Sequence, residues 1–269
     1  DDGTVPFFGS TFHNQGHHRR ALQIASKQRV HEFVLTYISF KYKGNKSLHW
    51  WSLGLLIFIC CQGLFGYLTV SLKLLPIIVT GHLFGGFFTL SLFYLIFLKA
   101  GDFKILDQMR IPHLKGISIL AMIILLFQIF LGAWTSTNYA SLACVDFPTC
   151  QGTYYPEMDF KQGFNLSQEV GPNYLYGLLD NSARVAIHYS HRISAILVTI
   201  VFLVLMSKLW FSAAAPLAST LGILLLTQIS LGIINVIYVL PLYVAIAHNL
   251  IAASLLLGTI TVNYLAWKK

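Results

Sequence analysis

Six apolar stretches run through this chain, at residues 50–72, 76–98, 116–136, 186–207, 212–235 and 241–267. Arg192 is the only charged side chain inside any of them. About 20 apolar residues are enough to cross a bilayer as a helix, and no ordinary soluble domain needs six such runs. The pattern predicts an all-α membrane protein with six transmembrane helices, spans A to F. The remaining sequence is polar enough to serve as connections and as an N-terminal segment.

Spans B, D and F each carry a histidine about six or seven residues from their start, which is on the order of 10 Å along a helix. These are His82, His191 and His248. A chain that weaves back and forth gives B, D and F one orientation, so the three imidazoles share one layer of the membrane. The net charge of +8 could suggest a nucleic-acid partner, but its placement excludes that. Lys41, Lys43, Lys46, Lys99, Lys104, Arg110, Lys115, Lys208, Lys268 and Lys269 fall on one side of the weave. The C–D connection on the other side carries Asp146, Glu157, Asp159, Glu169 and Asp180 against Lys161 and Arg184. The positive-inside rule then predicts a cytoplasmic C-terminus and a histidine layer near the outer face.

The cysteines divide by place. Cys60 and Cys61 lie in span A, where thiols act as small apolar groups. Cys144 and Cys150 flank Val145-Asp146-Phe147-Pro148-Thr149 in the outer connection. An oxidising compartment permits a disulfide there, with a two-cysteine metal site as the alternative. Residues 1–48 are polar and basic and contain His13, His17, His18 and His31. They read as a disordered or non-native arm, with metal binding by the histidines as the lesser alternative. The predicted organisation is a polar segment 1–48, a helix pair 49–98, a cytoplasmic loop 99–115, and a four-helix unit 116–269 with an outer loop at 137–185.

Two stretches repeat. Gln62-x-x-x-Gly66 is followed by Leu75-Pro76 and His82, and Gln228-x-x-x-Gly232 by Leu240-Pro241 and His248. Each reads as a helix, a short outer turn marked by proline, and a second helix with histidine in its second turn. Their shared orientation implies a pseudo-two-fold axis along the membrane normal. If the unit is four helices, spans A and B are the second half of a first copy. The chain then reads as one and a half repeats, a C-terminal four-helix haem-binding bundle plus half of a pseudo-symmetric N-terminal bundle.

Haem is the ligand that histidines at matched depth suggest. A lone histidine in a membrane helix can simply hydrogen-bond to a neighbour, but ionisable groups at such depth are costly and mark functional sites. Small residues follow each histidine by about a turn: Gly85 and Gly86, Ala195, and Ala252 and Ala253. They would let a flat macrocycle approach the backbone. His191 and His248 form the natural axial pair of a six-coordinate, electron-transfer haem. Arg192 either pairs with a haem propionate or snorkels to lipid headgroups. His188, one turn before His191, is expected to support it or to sit at the interface.

The combination of motifs resembles a family. Gln128-x-x-x-Gly132-Ala-Trp-Thr-Ser, Ala143-Cys-Val-Asp-Phe-Pro-Thr-Cys150-Gln-Gly, Asp180-Asn-Ser-Ala-Arg184, Ile187-His-Tyr-Ser-His-Arg-Ile-Ser-Ala195 and Val244-Ala-Ile-Ala-His-Asn249, with Gln62 to Gly86, resemble bacterial haem A synthases from about residue 48 onward. The resemblance implies an oxidoreductase with two pseudo-symmetric four-helix halves in the bacterial inner (plasma) membrane. Its reaction would convert the methyl group of haem O, the substrate, to the formyl group of haem A for terminal oxidase assembly. By resemblance, His191 and His248 ligate a haem b as iron ligands, Cys144 and Cys150 are the outer-loop pair, and His82 faces the substrate haem. A haem O synthase that hands over substrate and an electron donor are the implied partners.

The family's Glu-x-x-His-Arg helix is not recognisable in residues 1–48. The partner histidine of His82 and the carboxylate are therefore expected to be missing, and this chain alone is expected not to make haem A. A membrane b-type cytochrome that relays electrons without oxidising a substrate is the alternative. A repeat-built transporter is weaker, because nothing resembles a broken helix around a central ion site.

Overall fold

The computed structural model describes residues 46–101 and 103–268. The reading of residues 1–48 as a polar arm falls outside them, apart from the first turn of one helix. Six long helices make up most of the described chain: α1 (Lys46–Ser71), α2 (Pro76–Ala100), α3 (Lys115–Thr137), α4 (Asn181–Trp210), α5 (Ala215–Ile237) and α6 (Leu242–Trp267). All six are long and apolar enough to span a membrane. Each includes most of one predicted stretch. α4 starts before its apolar run, because Asp180 and Asn181 begin a polar first turn on the loop side. The chain divides into two compact units, residues 1–60 and 61–269. The described part of the first is the opening of α1, and the second holds the end of α1 and the other five helices.

Helices α3, α4, α5 and α6 close a four-helix ring: α3 packs on α4, α4 on α5, α5 on α6 and α6 on α3. α2 lies against α3 and α6. The two faces of α4 show how an all-apolar helix sits in such a ring. Val198, Val201, Phe202, Leu205 and Leu209 are buried, while Ile193, Ile196, Leu197, Ile200, Leu203 and Val204 are exposed. Both stripes recur at helical spacing, and the exposed one is as apolar as the core. Such a helix faces lipid rather than water. Phe202, Leu205, Leu221 and Leu255 belong to one buried cluster within the ring. In lipid, close packing and hydrogen bonds hold helices together, since burial brings no escape from water. Hydroxyl pairs add to this. Thr80 and Thr137 join α2 to α3 at 2.8 Å, and Tyr94 and Thr261 join α2 to α6 at 2.8 Å.

The turns that close α1–α2 and α5–α6 have the same construction. Lys73 and Leu74 in one, and Val239 and Leu240 in the other, are consecutive residues with left-handed φ. In both, an amide reaches five residues back at 2.8 Å, Leu74 to the Thr69 carbonyl and Leu240 to the Asn235 carbonyl. The proline then sits at the start of the next helix, at its first turn in α2 and as the cap residue in α6. The repeat read from Gln, Leu-Pro and His is thus also a repeat of backbone conformation.

The α3–α4 connection is ordered by buried polar contacts. The Trp134 indole donates to the Gly163 carbonyl at 2.9 Å, and the Trp134 side chain is fully buried. A methyl group on Gly163 would lie 2.7 Å from the Ala183 carbonyl oxygen, so only glycine lets the short helix Phe160–Gly163 rest on α4. Asp159 caps that helix by accepting from the Gln162 amide. Cys144 and Cys150 form a disulfide across a Cα–Cα distance of 4.8 Å. The far end of the connection clasps the α1–α2 turn: the Tyr174 amide donates to the Lys73 carbonyl, and the Lys73 ammonium donates to the Gly171 carbonyl.

Candidate functional site

α4 and α6 stand diagonally across the ring, each flanked by α3 and α5. His191 on α4 and His248 on α6 line one cavity of about 330 Å³ between them. Gly132, Ala195, Gly232 and Ala252 line it too, so the predicted small residues Ala195 and Ala252 do face the space. His188, Arg192 and Phe147 close its loop side. Among the described residues, no three of His, Cys, Asp and Glu converge on a point. The histidines therefore form a pair across a cavity rather than a compact metal cluster.

Each ring is fixed by the helix it faces. A Cβ on Gly132 would lie 3.1 Å from His191 Cε1, and one on Gly232 would lie 3.3 Å from His248 Cε1. The glycines thus let each imidazole edge rest on a neighbouring backbone. One turn earlier on those helices stand Gln128 and Gln228. The Gln128 amide donates to the His191 carbonyl at 3.2 Å and lies 3.2 Å from the ring Nδ1. The Gln228 amide lies 3.2 Å from His248 Nε2.

His82 shows the same arrangement in a separate place. A Cβ on Gly66 would lie 3.2 Å from His82 Cε1. His82 does not line the cavity of His191 and His248, although its neighbour Leu83 does. Gly85, expected to make room for a macrocycle, instead receives the Gln62 side chain, whose amide nitrogen occupies the place a Cβ would take. The reason is that α1 packs there, glutamine against glycine. Gly86 has open space around it.

The structure assigns Arg192 partners that neither sequence alternative foresaw. Its guanidinium donates to the carbonyls of Thr149 (2.8 Å), Asp146 (3.0 Å) and Cys144 (3.2 Å), and its Nε donates to His188 Nε2 at 3.3 Å. Arginine suits this task because its rigid fork addresses several acceptors at once. Arg192 therefore ties α4 to the disulfide loop directly above the cavity. Asp146 organises the loop from within. It accepts from the Thr149 hydroxyl and from the Gln151 and Gly152 amides. The Thr149 hydroxyl first, and then those amides, hold its carboxyl down from 3.8 to about 2, against a smaller opposing effect of burial.

Gln128, Gln228 and Asp146 were not singled out as functional from the sequence. The signal existed for the glutamines. Gln-x-x-x-Gly occurs three times, each facing a histidine, yet only two copies share the Gln-to-His spacing of 20. In the third, the outer loop stretches that spacing to 63. A second, larger cavity of about 820 Å³ lies toward the other ends of α2, α5 and α6 and contains no histidine or carboxylate.

Comparison with known proteins agrees with this architecture. The chain is 39% identical over 217 residues to the Heme A synthase of Shewanella oneidensis, covering 80% of this chain and 66% of that protein. It is 28% identical over 236 residues to that of Methylobacterium radiotolerans, covering 83% of this chain and 61% of that protein. With the Heme A synthase of Rickettsia felis it shares 29% over 239 residues, covering 83% of this chain and 67% of that protein. The chain thus spans about two thirds or less of the length of these curated relatives. Residues 29–260 match the family COX15-CtaA, described as cytochrome oxidase assembly protein. That match begins upstream of residue 48, where the motif resemblance starts, and so takes in part of the segment read as non-native. With six membrane-length helices and a match over most of its length, the chain belongs to the COX15-CtaA family of cytochrome oxidase assembly proteins.

Proposed function

We propose that this chain serves haem A synthesis, oxidising the methyl group of substrate haem O to a formyl group, with a haem b held between His191 and His248. The carrying observation is the pair of imidazoles on diagonal helices lining one cavity, each with its edge on a glycine. The donor set fits such a group. His191 and His248 would hold the iron through their imidazole nitrogens, and Gly132, Gly232, Ala195 and Ala252 would leave room for a flat ring. When bound, a haem with two imidazole ligands supplies one-electron transfer.

The chain's own residues do the rest. Gly132 and Gly232 set how far each imidazole reaches into the cavity. Arg192, whose Nε donates to His188 on the same helix, holds the disulfide loop over its outer end. Substrate haem would lie near His82, which is outside this cavity and carries its own glycine contact at Gly66. The relatives' names support haem A as the product. The acidic outer loop and basic opposite side support a bacterial inner-membrane protein with its C-terminus in the cytoplasm.

One observation favours a second reading. Among the described residues, the cavity with two facing histidines is the one away from His82. That is the arrangement a membrane b-type cytochrome needs, without substrate oxidation. Two measurements separate the readings. Purified chain should show a reduced low-spin b-type spectrum that is lost in His191→Ala and in His248→Ala; unchanged spectra in both would overturn the ligand pair. The full-length protein as its gene encodes it should produce haem A in a host lacking its own synthase, and His82→Ala should abolish the product while keeping the b-type spectrum. Haem b without haem A would establish the cytochrome reading.

A further inference from the structure

Iron held between imidazoles on α4 and α6 fixes the plane of its ring. The axial bonds run between those diagonal helices, so the ring's edges face α3 and α5. A haem also carries two carboxylates side by side on one edge, and burying a carboxylate without hydrogen-bond donors is expensive. On the side away from the outer connection the cavity offers none. Leu125 and Leu225 stand about one turn before the glutamines, and Val198 and Leu255 two turns after the histidines, and all four line the wall. The Thr199 hydroxyl, on the same wall, donates within its own helix to the Ala195 carbonyl. At the outer end, Arg192 is already engaged, its Nε with His188 and both terminal nitrogens with loop carbonyls. Ser136 and Asn235 are not engaged. Ser136 stands one turn beyond Gly132 on α3, Asn235 about one turn beyond Gly232 on α5, and both line the cavity. Among the described residues neither side chain has a hydrogen-bond partner, and Asn235 Oδ1 is buried in that state.

The internal repeat shows that this is particular to Asn235. Counted from Gln-x-x-x-Gly, Thr69 on α1 and Thr135 on α3 hold the same position. Both threonine hydroxyls donate within their own helices, to the Gly66 and Leu131 carbonyls. The Asn235 backbone is held as well, since its carbonyl accepts the Leu240 amide at 2.8 Å in the α5–α6 turn. We propose that Ser136 and Asn235 receive the two haem carboxylates, one on α3 and one on α5, and so set how the ring is turned about its axial bonds. The proposal rests on the haem-binding function proposed for this cavity. An asparagine amide supplies two N–H donors and a serine one O–H. Donors to a carboxylate make hydrogen bonds about twice as strong as neutral pairs. Arg192 lines the same end, so its charge favours ionised carboxylates there. Ser141 and Asn249 also lack side-chain partners among the described residues, but neither lies on α3 or α5. One belongs to the outer connection, and the other follows His248 at the depth of the iron.

The test is a spectral titration of the haem-free full chain in detergent with two probes, iron protoporphyrin IX and its dimethyl ester, whose carboxylates are blocked. Wild type should bind the diacid more tightly than the ester. Asn235→Leu and Ser136→Ala should each lose roughly ten- to 150-fold in affinity for the diacid and little for the ester. Asn235→Asp keeps the shape of the side chain and adds a like charge, so it should weaken the diacid more than leucine does and spare the ester. All three variants should keep the low-spin spectrum, because the axial histidines are untouched. Variants that weaken both probes alike show a merely structural role, and variants that weaken neither show no contact. Either result overturns the proposal, as does a wild type that does not discriminate between the probes. A wild-type chain that binds neither probe overturns instead the reading on which it rests.

Discussion

Single residues in this chain are placed by close approach, and two contrasts make that measurable. Gly132 lies against the His191 ring, whereas Gly86 has nothing within 4 Å of a Cβ. Gly132→Ala should push the imidazole away at a cost of roughly 1–3 kcal/mol of strain, read as about five- to 150-fold weaker haem retention during detergent washing. Gly86→Ala should be neutral or slightly stabilising, because alanine is the better helix former by about 1 kcal/mol. Equal effects of the two would contradict the contact geometry. Asp146 supplies the pH dependence. Its carboxyl is lowered in the fold from 3.8 to about 2. A group with a depressed folded value stabilises above its unfolded value and loses that contribution as pH falls through the folded one. Protection of the Gln151 and Gly152 amides, measured against their intrinsic exchange rate at each pH, should therefore hold down to about pH 4 and fall between about 4 and 2. Asp146→Asn should show faster exchange at neutral pH and no such acid step. How much of this was legible in the sequence differs by residue. That His191 and His248 would share one layer was readable because depth in an apolar run is a one-dimensional property. Gln228 beside His248 was visible only as a spacing. The carbonyl partners of Arg192 were not readable at all, because a loop's backbone direction leaves no trace in residue identity.

At the level of elements, the helices were legible almost throughout, since hydrocarbon leaves a spanning segment little choice of conformation. Their boundaries moved by a few residues, most at the start of α4, where polar residues extend the helix before its apolar run. The outer connection was legible in its cysteines but not in its shape. It depends on Trp134 reaching Gly163, on Asp159 capping a single turn, and on Tyr174 clasping Lys73, none of which has a periodic signature. The Cys144–Cys150 bond closes a short loop, so its effect on the unfolded chain is about 2–3 kcal/mol in a chain-entropy model. A maleimide that cannot cross membranes should label neither cysteine in intact cells until reductant is added. Labelling before reduction would argue against the bond.

For the whole molecule, the proposed orientation, with the C-terminus in the cytoplasm, can be tested directly. With Cys60 and Cys61 replaced by serine, Lys268→Cys should react with the impermeant maleimide only after the membrane is opened. Reaction in intact cells would invert the topology. A four-helix bundle in the C-terminal part was expected from the repeat; α4, α5 and α6 pair in order through short connections, whereas α3 and α4 pair across the long outer connection. The position of Arg192 bears on how such a chain is made. A guanidinium entering hydrocarbon without partners is expensive. Its carbonyl partners, at Cys144, Asp146 and Thr149, all lie earlier in the chain. During synthesis, the residues that receive the charge are thus made before Arg192 itself. The order of residues is therefore also an order of events, in which the docking place is delivered before the cation that needs it.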